Sequence, residues 1–251
     1  MRTFILTAFI LISCSGSERE PVDSALARGM AWILQQDAAP DAGTLHACLE
    51  IARLLSAPEL HAWVVRGAGK RSADPFTNLV TGNPVSWQND QGARGHARMH
   101  QHLLASLSAG RDGEAARALE SFLAEELHGY MLTHQLYAVH WARERGWRPG
   151  AVVNARIGVL LKSLDREAEA VPTFSDLRAE QLQLLAAFGR SLNSADVESV
   201  LRAQTEAGSF MDATEWELAY DGEGVAMRSH PMHTTAQALL LLARVKASCG
   251  G

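Results

Sequence analysis

His134 and His233 each fall near the start of a strongly apolar stretch, and Asp176 and Glu180 stand four residues apart in a third. If those stretches are helices, the i, i+4 spacing puts both carboxylates on one face, and two imidazoles and two acids can reach one place. A nitrogen-and-oxygen set of this kind suits a divalent metal such as zinc, iron or manganese better than a thiolate-seeking one. An ion held by His134, Asp176 and His233 would polarise a substrate or activate water, with Glu180 as general base, so these four are the candidate catalytic residues. The same residue types also serve as helix caps and satisfied buried polar groups. His96 and His100 repeat the i, i+4 spacing and form a second candidate metal pair, in a stretch made polar by Arg94, Arg98 and Gln101. His102 is directed elsewhere. His128, His140 and His230 carry less information: His140 is off the face of His134, and His230 precedes Pro231 as a helix-entry residue.

The elements that must position these groups are helices. Apolar residues recur at spacings of three and four through most of the chain, with almost no alternation of β-branched residues, which predicts an all-α domain. The periodicity places helices near Val22 to Gln36, Leu45 to Leu55, Pro58 to Arg66, Arg94 to Ala109, Gly113 to Glu126, Tyr130 to Arg145, Gly150 to Leu164, Ser175 to Phe188, Ser194 to Gln204 and Pro231 to Lys246. Two kinds alternate. Gly113 to Glu126 is rich in charge and needs a wet face, whereas Tyr130 to Ala142 has almost no charged face. An outer ring of amphipathic helices around an inner ring of buried ones accounts for that order, with a pair spacing of about 40 residues, typical of helical repeats. Several buried helices open on a polar group: Thr44-Leu45-His46, Leu132-Thr133-His134, Ser175-Asp176 and Met232-His233-Thr234-Thr235. In a ring, such ends converge on one pocket. Two stretches fall outside the pattern: Gly67 to Gly92, read as a lid or binding loop or else as disordered, and Gly208 to Ser229, an insertion carrying Trp216 and Tyr220.

Arg28-Gly29-Met30-Ala31-Trp32-Ile33, followed by glutamines and Gly43, resembles the first half of the repeat of squalene cyclases and protein prenyltransferase β subunits. Gln204-Thr205-Glu206-Ala207-Gly208-Ser209-Phe210 is similar to its second half, Gln-x-x-x-Gly-x-Trp, with Phe210 in place of Trp. The resemblance implies an α/α toroid of about five helix pairs, with Gln204 and Phe210 tying an outer helix to its neighbour. The chain lacks the Asp-x-Asp-Asp motif of the cyclases and the Cys, Asp and His set of the prenyltransferase zinc site, so neither activity is implied.

The N-terminus runs Met1-Arg2, then an apolar segment from Phe4 to Ile12, then Leu11-Ile12-Ser13-Cys14 and a polar stretch. That order is a targeting segment, too short for the ~20 apolar residues that span a bilayer. Its approach to a cysteine resembles the lipobox of bacterial lipoproteins, which implies removal of residues 1–13, a lipid on Cys14, a polar tether over residues 14–21 and a domain over 22–251. Ser15 after the cysteine favours the periplasmic side of the outer membrane under that family's sorting pattern. Cys48 and Cys249 give no disulfide framework; a buried Cys48 and a free Cys249 are the expected state, and a bond between the two in an oxidising compartment is the alternative. The net charge of -5 and the scattered Lys and Arg residues give no footprint for nucleic acid. No glycine-rich phosphate loop or Gly-x-Ser-x-Gly elbow supports nucleotide binding or serine hydrolysis. The expected function is an envelope lipoprotein whose central cavity binds a small or lipid-like ligand. The alternative is a non-catalytic helical-repeat scaffold for another envelope protein.

Overall fold

Local capping chemistry decides where several of the helices begin. Asp41 accepts a hydrogen bond from the Thr44 amide at 2.8 Å, Asp112 from Glu114 at 2.8 Å, Ser175 from Arg178 at 3.0 Å and Asn193 from Asp196 at 2.8 Å. Each satisfies an amide that the first turn leaves unpaired. The computed structural model describes residues 16–37, 40–71, 74–81, 85, 87, 90, 93–170, 173–210, 215–220, 223–228 and 230–249. The leader, Cys14 and the side chains of His96 and Cys249 lie outside the described residues.

The fold is all-α. In chain order the helices are α1 (Gly16–Leu34), α2 (Ala42–Leu55), α3 (Pro58–Lys70), the short α4 (Asn78–Thr81), α5 (Gly95–Ser108), α6 (Gly113–Ala124), α7 (Gly129–Glu144), α8 (Ala151–Ala170), α9 (Asp176–Ala187), α10 (Ser194–Arg202) and α11 (Pro231–Cys249). A 3-10 turn, Pro75–Thr77, leads into α4. Each predicted helix is present. The first helix starts earlier than expected, at Gly16, since Glu18, Arg19 and Glu20 are good helix formers. Two further readings are corrected. Gly67 to Lys70 finish α3, and the supposed loop beyond them holds the 3-10 turn and α4. Within the second insertion, β1 (Glu215–Tyr220) and β2 (Glu223–Arg228) pair antiparallel, Trp216 opposite Met227 and Tyr220 opposite Glu223.

Contacts between helices follow the wet and dry alternation. α2 packs on α11, α11 on α9, α9 on α7 and α7 on α5, while the 3-10 turn and α4 lie against α2. Between α5 and α2 the segment around α4 supplies the links. Phe76 meets His100 edge-on at 5.7 Å, Trp87 donates to the Gln101 carbonyl at 2.9 Å, and Ser108 donates to the Val85 carbonyl at 3.1 Å. α1, α3, α6, α8 and α10 lie outside this set. The apolar core runs through the inner helices: Leu45, Ile51, Leu132, Leu136, Leu184, Leu239 and Leu241 are completely or almost completely buried.

Two devices fasten the outer helices. Gln204 at the end of α10 accepts from Arg28 at 2.6 Å and donates to the carbonyls of Ala25 at 2.8 Å and Gly208 at 3.0 Å, which ties α10 to α1. The Phe210 amide donates to Thr235 Oγ1 of α11 at 2.9 Å, and its buried ring lies 5.9 Å from that of Phe174. On the other side, Glu167 of α8 accepts the Gly129 amide at 3.0 Å. A neighbouring helix thereby caps α7, whose own cap residue His128 makes no side-chain capping bond.

Candidate functional site

α2, α5, α7, α9 and α11, together with the 3-10 turn, line a half-open cavity of about 450 Å³. His46, His100, His134, His140 and His233 line it, five of the chain's ten histidines. Phe76, Met99, Leu103, Leu104 and Leu240 form its apolar wall.

At one end the starts of α2, α7, α9 and α11 meet. The His233 ring stands between acids: Nδ1 is 3.4 Å from Asp41 Oδ1, and Nε2 is 3.0 Å from Glu180 Oε1. Ligand atoms of Asp176, Glu180 and His233 all lie within 4.8 Å of one another. Each acquires an outer partner. Asp41 sits behind His233, Thr133 donates to Glu180 Oε2 at 2.7 Å, and Tyr130 donates to Asp176 Oδ2 at 3.2 Å. Asp176 and Glu180 are buried, at 2% and 4% exposure, so their charge depends on these neighbours.

Electrostatics drives the groups apart in proton affinity. Burial disfavours the imidazolium of His233, but the charges of Asp41 and Asp176 and hydrogen bonds to Asp41 and Glu180 prevail and raise its pKa well above the usual value. Burial likewise opposes the Asp41 carboxylate, yet the attraction of His233 and hydrogen bonds from His233 and Thr44 hold it far below the usual range. Asp176 moves the other way. Burial and the adjacent Glu180 raise its carboxyl in spite of His233. A proton-rich imidazole beside a reluctant carboxylate is an arrangement able to give and take protons.

The proposed four-residue cluster therefore loses one member. His134 lines the same cavity, but its Nδ1 turns back to the carbonyl of Tyr130 one turn earlier on α7, and it lies outside the close-set ligand group. The intrahelical bond satisfies the ring locally, which removes the need to reach across. His100 lines the cavity against Phe76. Its proposed pairing with His96 falls outside the described residues on the His96 side.

A second group went unread in the sequence. His46 Nε2 of α2 lies 3.3 Å from Glu50 Oε1 and 3.6 Å from Glu144 Oε2, and His140 Nε2 of α7 lies 2.9 Å from Glu50 Oε1 and 3.9 Å from Glu144 Oε1. Arg244 of α11 grips Glu50 Oε2. Burial opposes the charge on Glu50, but His46, a hydrogen bond from His140, and Arg244 hold its carboxyl far below the usual range. The signal was present as His-x-x-x-Glu twice, His46 with Glu50 and His140 with Glu144, each pair on one helix face.

A buried chain of polar groups runs from the first end toward the second, and ring contacts complete the path. Gln237 Nε2 lies 3.4 Å from His233 Nε2, Tyr137 donates to Gln237 Oε1 at 2.9 Å, and Gln183 donates to the Tyr137 oxygen at 2.6 Å. Tyr137 then stacks on Trp141, which meets the His46 ring edge-on at 5.8 Å. No family model, no curated protein and no solved structure matches this chain.

Proposed function

We propose that this chain is an envelope-anchored α/α toroid whose cavity takes a small, partly apolar ligand and presents to it a divalent metal ion held by Asp176, Glu180 and His233. One observation carries the metal reading: each of those three side chains has its own orienting partner, in Tyr130, Thr133 and Asp41 respectively. Ligating histidines characteristically give their second nitrogen to a carboxylate, and ligating carboxylates are themselves hydrogen-bonded. Asp41 behind His233 holds Nδ1, and the ion would take Nε2 in place of the proton there. The bound ion would polarise a ligand oxygen or lower the pKa of a water. Asp41 fixes the tautomer and tilt of the ring, and Thr133 restrains the free oxygen of Glu180.

The cavity volume of about 450 Å³ falls in the range of small-molecule sites, ~300–1,000 Å³. The convergence of five histidines and several carboxylates on one cavity favours ligand binding over the scaffold reading. The toroid reading rests on the sequence resemblance and on the succession of contacts from α2 through α11, α9 and α7 to α5. Membrane attachment rests on the order of charge, apolar run and Cys14. No described helix is long and apolar enough to cross a membrane.

Elemental analysis of the full chain purified without a histidine tag tests the centre. Metal should be retained in the wild type and in His134→Ala, and should fall in His233→Ala and Glu180→Gln. Metal content indifferent to His233 and Glu180 would remove the proposal.

A further inference from the structure

The group at the other end of the cavity supports an inference independent of the Asp176, Glu180 and His233 centre. We infer that His46, Glu50 and Glu144, with His140 beside them, form a second divalent-metal site of the zinc class. Two histidines and two glutamates from two helices face one another there, with His–Glu separations of 2.9, 3.3, 3.6 and 3.9 Å, the last two to different oxygens of Glu144. Ligands on a tetrahedral ion with bonds of about 2.0–2.1 Å stand roughly 3.3–3.4 Å apart. The measured separations straddle that value, so small side-chain adjustments bring the donors onto an ion. His46, Glu50 and Glu144 already have ligand atoms within 4.8 Å of one another.

Charge and support agree with this assignment. Two carboxylates balance a dication. Arg244 occupies Glu50 Oε2 and leaves Oε1 toward the imidazoles, the outer-sphere bracing that ligating carboxylates require. Trp141 adds a separate indication. It lines the cavity beside His46, is 7% exposed, and its Nε1 donor has no hydrogen-bond partner. A buried donor without an acceptor marks a place where a bound group carries one, and an oxygen held by the ion would serve. Asp41, behind His233, caps α2, and His46 and Glu50 lie five and nine residues further along it, an offset of roughly 10 Å at ~1.5 Å per residue, so one extended ligand can touch both groups.

The test is cobalt titration of chelator-stripped full chain, followed through visible d–d absorption, with circular dichroism verifying the fold of each variant. Glu144 is the safest ligand to change because its side chain is 42% exposed. Glu144→Gln and His46→Gln should each abolish one equivalent of cobalt or weaken it at least ~10-fold, while Glu180→Gln leaves that equivalent in place. If the first centre binds nothing, one equivalent tied to His46 and Glu144 still remains. Cobalt binding unchanged in both Glu144→Gln and His46→Gln, or absent from the wild type, would reduce this group to an ion-pair network and overturn the inference.

Discussion

His102 shows how a single side chain can be polar, half-buried and unrelated to the cavity chemistry. Its ring stacks on Phe122 at 4.9 Å and is nearly parallel to it. Burial, together with the charge of Arg98, pushes its pKa down to about 4. Between that value and the ~6.5 of an unfolded histidine, the unfolded chain binds the extra proton, so stability falls as pH drops through this window. Urea unfolding at several pH values should show wild type losing stability relative to His102→Leu below pH ~6.5, levelling near pH ~4. A difference between the two proteins that stays constant with pH would show that His102 does not titrate this way. The same contrast explains which site residues could be read in advance. Asp176, Glu180 and His233 stood out because a charged or titratable group on an otherwise dry helix needs a partner. His134 met the same criterion and found its partner within its own helix, a choice that depends on a side-chain rotation and not on residue type.

Among the elements, the helices were legible and the hairpin was not. Ten stretches with apolar residues every three or four positions became helices because burying one stripe is the dominant driving force available to them. β1 and β2 lack that stripe, and the backbone of β1 rests on α5 and α7, so its pairing reflects tertiary placement as much as local preference. The turn after α10 is set more tightly. Gly208 has φ +98, and a Cβ there would stand 2.4 Å from the Arg28 carbonyl oxygen of α1. Neither the dihedral nor the backbone approach tolerates a side chain. Gly208→Ala should therefore cost more than about 2 kcal/mol in denaturant unfolding, well above an ordinary surface substitution. A loss within ~0.5 kcal/mol would mean that α10 is not locked to α1 through this turn.

For the molecule as a whole, the helices that line the cavity also belong to the core, which couples the site to global stability. Cys48 reports on that coupling. It is fully buried on α2, one residue from Leu49 and two from His46 and Glu50, and is free. Burial, with a smaller contribution from Asp41, raises its thiol far above the ordinary range. In a chain carrying Cys14→Ser and Cys249→Ser, Cys48 should react with an aromatic disulfide reagent only as fast as the domain opens, and at once in denaturant. Immediate reaction in native buffer would contradict a sealed inner layer.

Composition and periodicity settled the helical class, the helix positions and the polar starts of the buried helices, because hydrophobic patterning and capping act within a few residues. Which polar starts share a point was settled only by packing. His233 meets Glu180 across 53 residues and Asp41 across 192, and His140 meets Glu50 across 90. Contacts that distant depend on how α2, α7, α9 and α11 turn about their axes, and rotation of a buried helix with polar groups on several faces leaves no trace in local spacing.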